Sequence, residues 1–159
     1  MRDLGMALFL STHTNKIDKK GRVSVPARFR SILTERGYGA IVLFPSFEGN
    51  AINACDMGVM EGLLERIGGF DPFSEDRESD ADVLMAEASE LPIDGDGRIV
   101  IPQAMLSQMG IEGECIFAGR GDSFQIWRPA DFEERMKVVK ERARLKRSRG
   151  ASLGDVNND

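Results

Sequence analysis

Six basic side chains crowd into a short N-terminal stretch: Lys16, Lys19, Lys20, Arg22, Arg28 and Arg30. Lysines on a polar turn meet phosphate oxygens as mobile point charges, a contact that is salt-dependent and blind to sequence. An arginine leaving a rigid strand beside that turn can instead present its planar fork to the O6/N7 edge of a guanine. Asp18 and Gly21 supply the turn itself, the aspartate by bonding its own backbone and the glycine by accepting positive φ.

This stretch, Asp18 to Arg30 (DKKGRVSVPARFR), is written twice. Seventy-six positions later, Asp94 to Leu106 reads DGDGRIVIPQAML. Both copies fit D-x-x-G-R-φ-x-φ-P, with φ apolar. Asp18 matches Asp94, Gly21 matches Gly97, Arg22 matches Arg98, and Pro26 matches Pro102. The scaffold is shared but the charge is not. Lys16, Lys19, Lys20, Arg22, Arg28 and Arg30 correspond to Pro92, Gly95, Asp96, Arg98, Ala104 and Leu106, so one basic position of six survives. The first copy is therefore the phosphate-facing one. Gly21, Gly97, Pro26 and Pro102 read as structural. Arg98 persists with no other basic residue near it in sequence. This leaves a second role open for both arginines, as ion-pair partners of Asp18 and Asp94 within their own turns. Arg28 reads equally as a contact or as an exposed helix charge.

Each copy sits in a similar run of elements. Met6 to Thr12 reads as an apolar strand and Asn15 to Ile17 as a short extended piece. Arg22 to Val25 alternates, with Val23 and Val25 inward. Pro26 opens a helix at its first position, and Gly37 ends it. Ala40 to Phe44 and Ala51 to Ala54 make a hairpin around Glu48-Gly49-Asn50. Met57, Met60, Leu64 and Ile67 recur at helical spacing. Glu75 to Ala88 reads as an acidic helix with Val83 and Leu84 inward. The second copy then runs through a strand at Leu91 to Ile93, its turn, a strand at Arg98 to Ile101, a helix from Pro102 to about Met109, and a hairpin at Cys115 to Trp127. A basic helix opens at Pro129. Residues 148–159 read as a disordered tail. The resulting division is 1–68 for the first repeat with its helix, 69–88 for an acidic helical connector, and 89–147 for the second repeat with the C-terminal helix. Strands this short gain most by closing around one shared core. The expected fold is α+β, mainly β: one pseudo-symmetric barrel built from both repeats and decorated by helices.

The bulk numbers fit a chain of one domain, or two very small ones: 159 residues, 42% hydrophobic and 30% charged. The net charge of −5 hides blocks: +5 over residues 1–36, −9 over 71–96 and +5 over 128–150. Such asymmetry can signal a polyanion partner that the total conceals. Cys55 and Cys115 are two, and far apart, so they suggest neither a disulfide framework nor a zinc site. The apolar run near the N-terminus is too short for a signal peptide or a membrane span. His13 is the sole histidine and has no nucleophile beside it, and no G-x-S-x-G, phosphate loop or metal spacing occurs. Neither an enzyme, a cofactor nor a small-molecule substrate is expected.

The double box, the strand MALFLSTHTNKID before it, the helical connector, and the FQIW strand before a basic helix resemble the MraZ family, whose boxes are similar to AbrB-type swapped-hairpin DNA-binding modules. The resemblance covers about Met6 to Arg144. It implies a double-psi-like AbrB-type barrel and a cytoplasmic, nucleoid-associated transcriptional regulator. It further implies a ring-like homo-oligomer, of eight subunits or more, on short G-containing direct repeats ahead of the division and cell-wall gene cluster. Lys16, Arg22 and Arg30 are the matching functional positions. An antitoxin-like module that binds a protein partner is the alternative, although such antitoxins usually carry one box.

Overall fold

The structure is a computed structural model that describes residues 7–48, 50–68, 71, 73 and 80–157, with side chains as far as residue 150. It divides into two compact units, residues 1–128 and 129–159. In the first unit the chain runs β1 (Thr12–Lys16), β2 (Arg22–Ser24), α1 (Ala27–Glu35), β3 (Ala40–Pro45), β4 (Ile52–Cys55), α2 (Met57–Arg66), α3 (Asp82–Glu87), β5 (Ser89–Pro92), β6 (Arg98–Val100), α4 (Gln103–Met109), β7 (Glu114–Gly119) and β8 (Phe124–Trp127). The second unit is α5 (Pro129–Asn157). This helix is a unit of its own, with its backbone helical to Asn157.

The architecture is mixed α+β with antiparallel pairing throughout. Six strands form one sheet in the order β1-β7-β8-β4-β3-β5, and β2 pairs with β6 in a separate two-stranded ribbon. The expected closed barrel is thus corrected. β1 and β5 are the outer strands of the large sheet and do not pair with each other. Their natural continuations, β2 and β6, are only three residues long and bond across the repeats instead. In that ribbon Arg22 faces Val100, Val23 faces Ile99 and Ser24 faces Arg98. Val23 and Ile99 are matching residues of the two boxes, so the ribbon straddles a local two-fold axis. Two further bonds repeat that symmetry: the Val25 amide donates to the Gly97 carbonyl at 2.9 Å and the Ile101 amide to the Gly21 carbonyl at 2.8 Å.

The large sheet is interleaved in the same way. β1 of the first half pairs with β7 of the second, β5 of the second pairs with β3 of the first, and β4 meets β8 at the centre. There Asn53 lies opposite Gln125, whose Nε2 donates to Asn53 Oδ1 at 2.7 Å. The Trp127 indole donates to Gln125 Oε1 at 3.0 Å, so the buried amide is satisfied on both sides.

Val23, Val25, Ile99 and Ile101 face the main core, as their alternation predicts, beside Phe9, Phe29, Phe117 and Phe124. The rings of Phe9, Phe29 and Phe124 meet with centroids 4.8–5.2 Å apart, a geometry that adds to their area burial. A second cluster joins Met60 and Leu64 of α2 to Val42, Phe44, Cys55, Ala81 and Leu84. Burial pushes the Cys55 and Cys115 thiols up to about 12, so both stay protonated core residues.

Several local expectations shift. The N-terminal apolar run is not a strand within the described residues. Phe9 makes one bridge to Gly121, Ser11 turns the chain at φ 70°, and the polar segment that follows becomes β1. Pro26 and Pro102 cap their helices rather than begin them, with ψ of 137° at both. In the acidic helix Leu84 is buried but Val83 is exposed. Its expected residues 75–79, like Met6 and Gly49, lie outside the described residues. No helix among those described is long and apolar enough to cross a membrane.

Candidate nucleic-acid interface

The two box turns are built identically. Asp18 Oδ1 accepts from the amides of Lys20 and Arg22, both at 2.9 Å, and Asp94 Oδ1 accepts from those of Asp96 and Arg98 at the same distance. The Arg22 and Arg98 amides are the leading reason that the two carboxyls titrate below the ordinary 3.8, followed on the lowering side by the Lys20 and Asp96 amides and then by the arginine charges. Gly21 and Gly97 close the turns at φ 89° and 79°.

Each turn is braced by the other repeat. Gln103 of α4 donates to the Lys19 carbonyl at 2.9 Å, and Leu106 packs over Gly21. A side chain at Gly21 would also collide with the Ile101 carbonyl. On the opposite side the Arg30 guanidinium lies directly over Gly97, and its Nε donates to the Val25 carbonyl at 3.0 Å. Arg30 and Leu106 are matching positions, so the same packing slot is filled by a cation in one half and an aliphatic chain in the other.

The sequence-derived candidates therefore separate. Lys16, Lys19, Lys20 and Arg22 stand exposed around the first turn, with Lys16 opposite Glu114 at the end of the β1–β7 ladder. Arg28 is exposed on α1. Arg30 is half-buried against the second turn, where its contacts brace the fold. Arg98, isolated in sequence, is brought to the first copy's cations: it lies across the ribbon from Ser24 and lines an open cleft of about 410 Å³ with Lys16, Asp18 and Arg22.

The two arginines differ in how tightly they are held. Arg22 Nε is 3.8 Å from Asp18 Oδ2, an ion pair without a hydrogen bond. Arg98 Nε keeps the matching pair with Asp94 at 3.6 Å, but Arg98 Nη2 is also bonded to Asp96 Oδ2 at 2.8 Å. Asp96 stands where the first copy has Lys20. The exchange is plain in the sequence but its consequence is not: it removes a cation and captures the neighbouring arginine at once. Both arginines thus take part in ion pairs, and only Arg98 is clamped.

Other residues support the site without being legible as doing so. Asn15 Nδ2 donates to the Ser24 carbonyl at 2.6 Å, tying β1 to the ribbon. Arg36 Nη1 pairs with buried Asp56 at 2.9 Å, Nη2 reaches the Ala7 carbonyl at 3.2 Å, and the guanidinium stacks 4.9 Å from the Phe9 ring centre. Asp56 also caps α2 through the Val59 amide at 2.9 Å. His13 packs edge-on to Phe29. Among the described residues no group of three metal-ligating side chains comes together.

A family model described as "MraZ protein, putative antitoxin-like" matches residues 84–150. Over nearly the whole chain there are similar curated proteins. The "Transcriptional regulator MraZ" of Rickettsia akari is 39% identical over 142 residues, covering 89% of this chain and 95% of that protein. The protein of the same name from Pelagibacter ubique is 42% identical over 141 residues, covering 89% and 91%. That of Rickettsia rickettsii is 38% identical over 142 residues, covering 89% and 95%. With two boxes in register and identity of this level across both halves, the chain belongs to the MraZ family.

Proposed function

We propose that this protein is a sequence-specific DNA-binding transcriptional regulator that reads DNA with the outer face of the β2–β6 ribbon and the turn at residues 18–22. The observation that carries the reading is the contrast between the copies. Arg22 is loosely paired beside Lys19 and Lys20, while Arg98 is clamped by Asp96. Lys16, Lys19 and Lys20 take phosphates, Arg22 takes a guanine edge, and Arg28 on α1 extends the cationic face. A ribbon of two strands is of a size to enter the major groove. In this reading the protein acts in the cytoplasm at the nucleoid. It binds as a ring-like homo-oligomer on short G-containing direct repeats, so that several weak sites act together. The names of the curated relatives support the regulatory role.

Fluorescence anisotropy on a duplex of repeated G-containing sites and on a scrambled duplex tests this. Arg22→Ala loses about 1–3 kcal/mol per base contact on the first duplex only. Lys19→Ala/Lys20→Ala weakens both equally and flattens the slope of log K against log salt by roughly 2. A folded Arg22→Ala protein that binds the repeats like the wild type would sink the assignment. A greater loss from Arg98→Ala would reverse the two halves. The rival reading, an antitoxin-like module, predicts instead stable co-purification with a protein partner and no preference between the duplexes.

A further inference from the structure

The proposed reading head leaves the most basic part of the chain unused. Residues 137–149 of α5 carry seven cations, namely Lys137, Lys140, Arg142, Arg144, Lys146, Arg147 and Arg149, against Glu141 alone. Arg144 takes up that acid at 2.6 Å. Every residue from 140 to 150 is exposed. At 1.5 Å per residue the segment is about 18 Å long, and at 100° per residue its cations surround the axis rather than lining one face. Lys140 and Arg147 share one line along the helix, Lys137 and Arg144 a second, and Arg142 and Arg149 a third.

Beyond half-buried Val139 no side chain of the segment as far as residue 150 is covered by the fold, and like charges at this density repel one another. A polyanion removes that penalty. An anionic membrane surface would demand a continuous apolar face, and among the described side chains of α5 the large apolar ones that are exposed are Val138 and Leu145 alone. A DNA duplex demands none, and it offers one phosphate charge per ~1.7 Å of its axis, more than enough to pair with every cation of the helix. We propose that residues 137–149 of α5 bind the sugar-phosphate backbone of duplex DNA as a sequence-independent arm, distinct from the turn at residues 18–22. The proposal rests on the DNA-binding reading above and adds a second contact region to it.

The test uses the full chain with Lys140→Gln/Arg142→Gln/Lys146→Gln/Arg149→Gln, which spares the Arg144–Glu141 pair and keeps good helix formers at every site. Affinity is measured from low to moderate salt on the repeated-site duplex and on the scrambled one. The expected result is an equal loss on both duplexes, an unchanged ratio between them, and a salt slope shallower by about 0.9 for each contact removed, roughly 2–4 in all. Arg142→Lys/Arg149→Lys, which keeps the charges, should bind like the wild type. Unchanged affinity and slope on both duplexes overturn the proposal. So does a change of oligomeric state in light scattering with the slope intact, which would make the segment a subunit contact. Tighter binding of the wild type to anionic-lipid vesicles than to the scrambled duplex overturns it too. A wild-type protein that does not discriminate between the duplexes, while the quadruple variant still flattens the slope, would remove the sequence-specific reading and leave the arm standing.

Discussion

At the scale of single residues, position 96 decides which arginine is available. Asp96 bonds Arg98 at 2.8 Å and is itself mostly exposed, so its removal costs no packing. Asp96→Asn keeps the local shape and removes the charge that clamps Arg98. The variant should bind DNA more tightly at low salt, with a slope steeper by about one, because Arg98 becomes a further counter-charge beside Lys16 and Arg22. A slope identical to the wild type's would show that Arg98 does not reach phosphate even when released. Asp18 and Asp94 have a different role, because their carboxylates staple the turns. Their pKa values are lowered on folding, chiefly by the Arg22 and Arg98 amides. Stabilisation from a depressed carboxyl is fully present above its unfolded value near 4 and is lost as pH falls through the folded one. Asp18→Asn/Asp94→Asn should therefore melt below the wild type at pH 7 and converge with it in acid, which thermal unfolding from pH 7 to pH 3 would follow. A constant gap across that range would contradict the staple.

Single elements show what short sequence windows reveal and what they omit. The boxes were legible because glycine, proline and alternation act within a few residues: β2, β6 and the ends of α1 and α4 fall within a residue or two of their expected places. β1 was legible only at its end, from Asn15, because its residues THTNK carry no strand-like apolar pattern and are held by the β7 ladder and the Asn15 bond to the Ser24 carbonyl. The apolar run before it reads as a strand for the converse reason, since Phe9 is buried against the Phe29 and Phe124 rings rather than by a strand of its own. The place of Arg30 over Gly97 is not legible, because charge in a sequence looks alike whether it meets solvent or a glycine across the fold. Arg36 passed unremarked for the same reason. It joins the end of α1 to the start of α2 through buried Asp56, and its side chain is 12% exposed against 3% for the aspartate. Removing one partner of such a pair strands the other charge. Arg36→Met should cost about 3–5 kcal/mol by chemical denaturation, and Arg36→Met/Asp56→Leu should recover part of it. A single variant as stable as the wild type would show that the pair is solvated in solution.

At the scale of the whole molecule, the two repeats are not two domains joined by a connector. β1 has its partner in β7 of the other half, β5 has its partner in β3, and the ribbon takes one strand from each box. The repeat itself was visible in the sequence, but this exchange was not, because nothing in a strand of three to five residues records which half it will pair with. The exchange also explains why the boxes keep Gly21, Gly97, Pro26 and Pro102 while their charges diverge: each turn must fit against the other repeat's helix whatever its role toward DNA. A polypeptide ending at residue 68 would hold the β3–β4 hairpin with both of its outer edges open, and β1 and β2 with nothing to pair. A polypeptide starting at residue 80 would be left in the mirror situation. Neither fragment should unfold cooperatively alone, and mixing the two should restore the β signal in circular dichroism together with a single cooperative melt. The mixture should also regain binding to the repeated-site duplex, since the proposed face needs Arg22 from one fragment and Gln103 from the other. A first fragment that melts cooperatively by itself would mean that the halves fold first and dock afterwards. The cross-repeat braces would then be consequences of the fold rather than its cause.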